Sequence, residues 1–184
     1  LDLLYATAVS ESLGAYIAPV PYTGSYIMTP MAIMLAGSRD QKEKYLHAIS
    51  NNEMHFGFGV TEYIAPRENA EIILNNKTAS GRALFVMDGL NATHYILTTK
   101  SGTIFIINAN DPNLQIVQLT TVDKTKDVSE LILNSCQVEV LQKSVNDTSI
   151  IDKVIDAGRI MVAADSLGAS QSMIDKSVSY SKER

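Results

Sequence analysis

The 184-residue sequence predicts an α+β fold, on three observations. Apolar residues recur at helical spacing from residue 1 to about residue 53. From about His55 the period changes to strand-like alternation, punctuated by Gly, Asn, Asp and Pro. From about Thr148 a helical stripe runs to the end. The chain therefore divides into an N-terminal helical segment at residues 1–53, a middle β domain at 54–147 and a first long helix of a further helical domain at 148–184.

The first helix covers residues 1–17 and stops at Pro19-Val20-Pro21, because proline removes an amide donor and restricts its neighbour. A second, at 25–35, ends near Gly37. Ser38 with Gln41 forms a capping-box signal that starts a third helix over 39–50. Apolar or β-branched runs at 54–61, 72–74, 84–87, 95–99, 103–108, 114–120 and 130–140 read as strands, with turns at Gly81, Asp88-Gly89, Ser101-Gly102 and Asn110-Asp111-Pro112-Asn113. The last helix carries Ile151, Val154, Ile155, Met161, Val162, Leu167, Ile174 and Val178 on its stripe, and small residues such as Ala157, Gly158, Ala164 and Gly168 that let another helix approach closely. So long a helix without a stop signal is expected to continue beyond Arg184 and to need partner helices, and the start at Leu1 is expected to lie inside a longer protein.

Net charge of -5 leaves no basic field for a phosphate backbone, which sets nucleic acid aside. No apolar run approaches the roughly 20 residues of a membrane-spanning helix, and with no signal segment and a single cysteine, Cys136, the chain reads as cytoplasmic, without membrane insertion. Cys136 sits in an alternating run and reads as a buried small hydrophobe. The glycosylation patterns at Asn76, Asn91 and Asn146 carry no weight in such a chain. His47, His55 and His94 show no metal-ligand spacing with Cys136 or a carboxylate, so no metal site is expected. No nucleophile elbow and no Gly-rich phosphate loop follows a strand, which excludes the corresponding hydrolase and nucleotidase readings.

What remains is Phe58-Gly59-Val60-Thr61-Glu62 and Phe85-Val86-Met87-Asp88-Gly89, two strand ends each presenting a ring and backbone amides. Followed by a long helix, they suggest a wall for a flat cofactor, a flavin rather than a metal. Glu62 reads as a structural or solvated carboxylate with no catalytic role.

With the sequence around it, this layout resembles the acyl-CoA dehydrogenase family. Glu11-Ser12-Leu13-Gly14 and Gly37-Ser38-Arg39-Asp40-Gln41-Lys42-Glu43-Lys44-Tyr45-Leu46 are similar to its N-terminal helices and its G-S-x-x-Q-K-x-x-x-L segment. Residues 58–62 are similar to F-x-x-T-E, and Gly158-Arg159, Ala163-Ala164, Leu167-Gly168 and Gln171 to the opening of its C-terminal domain. The resemblance covers essentially the whole chain. It implies an antiparallel, barrel-like β domain and the start of a C-terminal helical bundle. It also implies an FAD-dependent enzyme of fatty-acid metabolism that desaturates an acyl-CoA between its α and β carbons, with an electron-transfer flavoprotein as electron acceptor and homo- or hetero-oligomers of family members.

By that resemblance Phe58, Val60 and Thr61 match FAD contacts, Phe85 the aromatic residue beside the flavin and Met87 the position two residues on. Asp156 and Arg159 match positions near the CoA part of the substrate, and Arg184 an arginine that reaches the FAD diphosphate of a neighbouring subunit. The family's catalytic base matches no residue here, so the 184 residues alone are expected to be inactive and to hold FAD weakly.

The chain also departs from the pattern. Tyr63-Ile64-Ala65-Pro66-Arg67-Glu68 stands where P-x-A-G-S-D is usual, and Phe85-Val86-Met87-Asp88 replaces W-I-T-N or W-I-S-N, so that Met87 has no hydroxyl to donate. These changes favour an alternative: a non-catalytic structural subunit that pairs with an active homologue.

Overall fold

The computed structural model describes residues 2–68 and 70–184. Helix α1 (Leu3–Ala15) is capped by Asp2, whose side chain accepts from the Leu4 amide at 2.9 Å. A π-helical segment (Tyr22–Met28) runs into α2 (Thr29–Ala36), and α3 (Arg39–Ser50) opens on the expected capping box, Ser38 and Gln41 bonding reciprocally at 2.9 and 3.2 Å. Strand β1 (Phe56–Gly59) leads into a single helical turn, α4 (Thr61–Ile64). Then come β2 (Ile72–Asn75), β3 (Thr78–Met87), β4 (His94–Thr98), β5 (Ile104–Asn108), β6 (Leu114–Gln118) and β7 (Val128–Val140). A 3₁₀ turn (Gln142–Ser144) precedes α5 (Thr148–Glu183).

The sheet closes on itself. In the order β3-β1-β4-β5-β7 the last strand pairs back onto β3, while β2 and β6 flank β3 and β7 from outside. Every pairing is antiparallel except β1 with β4, where Phe56 to Gly59 run alongside His94 to Leu97 in the same direction. The parallel pair is possible because α4, β2 and β3 lie between the two strands in sequence, giving the long crossover that parallel pairing needs. Cys136 lies in the barrel interior with Val86, Tyr95, Leu97, Phe105, Ile107 and Leu131, and burial pushes its thiol pKa up.

The outer face of β1, β4 and β5 is no more exposed than the inner. Phe56, Phe58, Ile96, Ile104 and Ile106 pack there against Ile33, Tyr45, Ile151, Val154 and Ile155 from α2, α3 and α5. These strands are therefore buried on both faces, which is why β4 and β5 read as unbroken apolar runs. The alternating Phe-Gly-Phe-Gly of β1 solves a space problem. A Cβ on Gly57 would lie 2.8 Å from the Tyr95 ring and one on Gly59 2.7 Å from Leu97, so the inward positions carry no side chain while the outward ones carry rings.

Helices α1 and α5 meet by the same device. A Cβ on Gly14 would overlap the Asp165 carbonyl, and one on Gly168 the Glu11 carbonyl, while Ser10 donates to the Met161 carbonyl at 2.8 Å. The small residues of α5 thus receive α1 at backbone contact. No helix among the described residues is long and apolar enough to cross a membrane.

Replacing Gly168 by Ala forces the two helices apart. Urea denaturation should show a loss on the order of 2 kcal/mol, whereas Ala at the neighbouring exposed Ser170 should leave stability within about 0.5 kcal/mol; equal effects at both positions would refute this packing.

Candidate functional site

The site begins where β1 ends. Val60, at φ -126 and ψ 5, leaves the strand, and its carbonyl accepts from the amides of Tyr63 and Ile64, both at 3.1 Å, to close the α4 turn. Thr61 heads the turn and is partly buried. Glu62 is only 3% exposed and its Oε1 has no hydrogen-bond partner among the described residues. Burial, with a smaller contribution from the charge of Glu71, raises its carboxyl pKa to about 7. Tyr63 turns the other way, packs on the helix-facing core and donates to Asp152 Oδ1 at 2.8 Å.

The second strand end lies beside the first, with Phe58 opposite Met87 across the β1–β3 pair. Strand β3 changes register against β7 between Ala83 and Val86, and within that irregularity Phe85 takes φ +55. Such a conformation is costly for a bulky residue and is found where the surroundings enforce it. Its effect is to turn the Phe85 ring out, half-exposed, while Val86 points into the barrel and Met87 packs on the helix-facing core. Asp88 follows at φ +57.

The two rings therefore differ. Both strand ends were expected to present one, but the Phe58 ring is wholly buried between sheet and helices, because the outer face of β1 is itself a core surface. The whole residue is 0% exposed, with β3 paired on one side of it and β4 on the other. Val60, Thr61, Phe85 and Met87 gather around it on adjoining strand ends. Asp156 and Arg159 lie one turn apart on exposed α5, 2.9 Å from each other as an ion pair. Arg184 follows the 36-residue α5, a helix about 54 Å long, with its guanidinium 5.3 Å from the Tyr180 ring centre.

Beside the strand ends lies a recess of about 280 Å³, lined by the Pro19 to Pro21 turn, Ser25, His55, Asp88, Asn91, Thr125 and Asp127. Burial, then the charge of Asp127, raises the Asp88 carboxyl pKa to about 6. Asp127 Oδ2 accepts from the Leu90 amide at 2.7 Å, and its backbone carbonyl accepts from the Asp88 amide at 3.0 Å. No spacing rule signals this pairing, since the two aspartates are brought together by the β3–β7 ladder.

No protein-family model matches the chain. A curated relative, the short-chain-specific acyl-CoA dehydrogenase of Megasphaera elsdenii, is 30% identical over 207 residues, covering 100% of this chain and 54% of the relative. The acryloyl-CoA reductase (NADH) of Anaerotignum propionicum is 26% identical over 198 residues, 96% of this chain and 50% of that protein. Among solved structures, the butyryl-CoA dehydrogenase from Megasphaera elsdenii matches 100% of this chain and 54% of its own with a TM-score of 0.86 and 24% identity.

The chain belongs to the acyl-CoA dehydrogenase family. It spans about half the length of the curated relatives it matches.

For a member of this family the donor and ring set suits FAD in part. A half-exposed ring at Phe85, the Thr61 hydroxyl and the backbone at Val60 and Thr61 offer a face, a hydrogen-bonding group and amides on one wall. Met87 offers a thioether where a hydroxyl would donate.

The shifted acid beside this wall gives a pH test. In the unfolded chain Glu62 ionises around its ordinary 4.5, in the folded chain near 7, so the fold loses stability as pH rises through that window. Glu62→Gln removes the loss. Its stability relative to the parent should therefore rise between pH 5 and pH 8 by an amount on the order of 2 kcal/mol, measured by chemical denaturation at each pH; a difference that stays constant with pH would contradict the buried, unpartnered carboxylate.

Proposed function

We propose that the chain forms part of an FAD-dependent acyl-CoA oxidoreductase acting across the bond between the α and β carbons of a thioester, in the direction of desaturation. The observation that carries this reading is the pairing of β1 and β3, which sets the Thr61 turn and the outward ring of Phe85 side by side on the barrel wall. A glutaryl-CoA dehydrogenase from Mycobacterium smegmatis, similar in fold with a TM-score of 0.72, is in complex with FADH2, which supports the cofactor. When bound, the flavin would supply a two-electron acceptor for the β hydrogen.

The chain's own residues would hold and orient. The Thr61 hydroxyl and the Val60 and Thr61 backbone would hydrogen-bond the ring system, with Phe58 buried beneath them as support. The Phe85 ring would lie against it and fix its plane. Met87 would fill space there without donating a proton. On α5 the Asp156–Arg159 pair would meet the CoA portion, where a guanidinium suits phosphate. Arg184 would serve the diphosphate of FAD in a neighbouring subunit. The exposed Leu167, Met173, Ile174 and Val178 on the same half of α5 support association with a further family chain, identical or not. A chain from a structural study of the electron transferring flavoprotein of Acidaminococcus fermentans matches 99% of this one at 27% identity and a TM-score of 0.76, which supports an electron-transfer flavoprotein as acceptor. The boundaries at 53/54 and 147/148 would separate helical, β and helical domains.

Met87 and the exposed Ile64 to Glu68 run favour the second reading, a subunit that contributes structure and a wall of the site to an active partner.

Titrating FAD into the 184-residue chain and following flavin fluorescence should show weak, saturable binding. Thr61→Ala and Phe85→Ala should each weaken it by about five- to tenfold, a loss of roughly 1 kcal/mol per contact. Acyl-CoA should not be dehydrogenated by this chain alone. No saturable binding at any accessible concentration would remove the flavin reading, and turnover would show that the base lies among these residues.

A further inference from the structure

We infer that Tyr63 is a positioning residue, which holds the Val60–Thr61 segment against α5 through its hydrogen bond to Asp152. The inference rests on the flavin reading above for what that segment would touch. A lone helical turn is not stable by itself, since nucleation fixes several residues for a single hydrogen bond, so α4 needs outside anchors. On one side Glu62 is buried without a partner at Oε1. On the other, the Tyr63 hydroxyl donates to Asp152 Oδ1 at 2.8 Å.

The ring is seated as well as bonded. A Cβ on Gly102 would lie 3.2 Å from Tyr63 Cε2, 3.1 Å from Thr148 Cγ2 and 3.3 Å from Ile151 Cγ2, so the β4–β5 turn, the start of α5 and the ring close on one point. The residues that follow, Ile64 to Glu68, are exposed.

Asp152 stands at i, i+4 and i+7 spacing to Asp156 and Arg159, hence on the same face of α5. Tyr63 thereby ties the turn that carries Thr61 to the helix face that carries the acyl-CoA pair. It sets the distance between the two halves of the site without touching either ligand. Tyr63 occupies the first position of the segment that departs from P-x-A-G-S-D, so this latch belongs to the departure.

The test uses Tyr63→Phe, Asp152→Ala, their double variant and Asp152→Asn, which keeps a side-chain oxygen acceptor. Two readouts apply: amide hydrogen exchange over residues 60–65 without flavin, and FAD affinity by fluorescence. Tyr63→Phe and Asp152→Ala should each speed exchange about tenfold and weaken FAD binding about fivefold, with the double variant no worse and Asp152→Asn largely restored. A general loss of packing would lower thermal stability without sparing Asp152→Asn. Unchanged exchange in Tyr63→Phe overturns the latch. Faster exchange with unchanged FAD affinity overturns its role toward the cofactor. If the parent binds no FAD, the flavin reading fails first and takes that role with it, while the exchange result still decides the latch.

Discussion

Strand β1 is four residues long and the rest of the molecule is arranged around what it cannot hold. Its inward positions have no room for a methyl group against Tyr95 and Leu97, and its outward positions must carry large rings to fill the space under α2, α3 and α5. Because it pairs with β3 on one side and β4 on the other, removing it would open the barrel as well as strip the helices of their floor. Phe56 and Phe58, both essentially unexposed, each contribute about 1.5–3 kcal/mol of burial. With β4 and β5 the strand forms the wall between the barrel interior and the helix-facing core. Its end is also where Val60 and Thr61 are delivered, so the candidate site inherits its position from the most constrained segment of the fold.

The helical layer obeys the same steric rule in another geometry. At the α1–α5 crossing glycine meets backbone on both sides, and further along α5 Gly158 admits the Met28 side chain from the π-helical segment. The inserted residue of a π-helix turns the chain between Pro21 and α2, and it leaves Gly24 against Phe58, Met87 and Asp88. Helix packing therefore reaches the strand ends through small residues at each step. Contacts of this kind tolerate little change in volume, which gives a rigid platform on one side of a site whose other side, Ile64 to Glu68, is exposed.

How much of this was legible follows from what each signal measures. Ser38 and Gln41 announced α3 because a capping box is local chemistry, and β4 and β5 announced themselves because burial on both faces leaves only apolar residues to use. The first half of β3, residues 78–83, was not legible, since Thr, Ala, Ser, Gly and Arg hold their place there by pairing with β2 and β7 rather than by alternation. Helix α4 was hidden inside a run that looked like the end of a strand, for Thr61 has β propensity and only the turn of the backbone at Val60 ends the ladder. At the site, Phe85 and Phe58 are the same residue type in similar surroundings. One is turned out by a register shift and the other buried by helices arriving from elsewhere in the chain. Aromatic residues at strand ends could mark the region but not divide the rings between ligand face and core. The Tyr63–Asp152 contact spans 89 positions, and no spacing rule reaches so far.

The electrostatics of the wall have one origin. Glu62 and Asp88 flank the two strand ends, both are withdrawn from water, and neither forms a salt bridge with a cation among the described residues, so both carboxyls titrate well above their ordinary values. Burial and a neighbouring acid make both carboxyls lose their charge at a higher pH than an exposed acid does. The cost is borne by the fold, which gives up stability as these groups are forced to ionise. That the chain keeps acids here at all ties the strand ends to hydrogen-bonding geometry, since Asp88 and Asp127 also tie the turn after β3 to the start of β7 through the Asp88 and Leu90 amides.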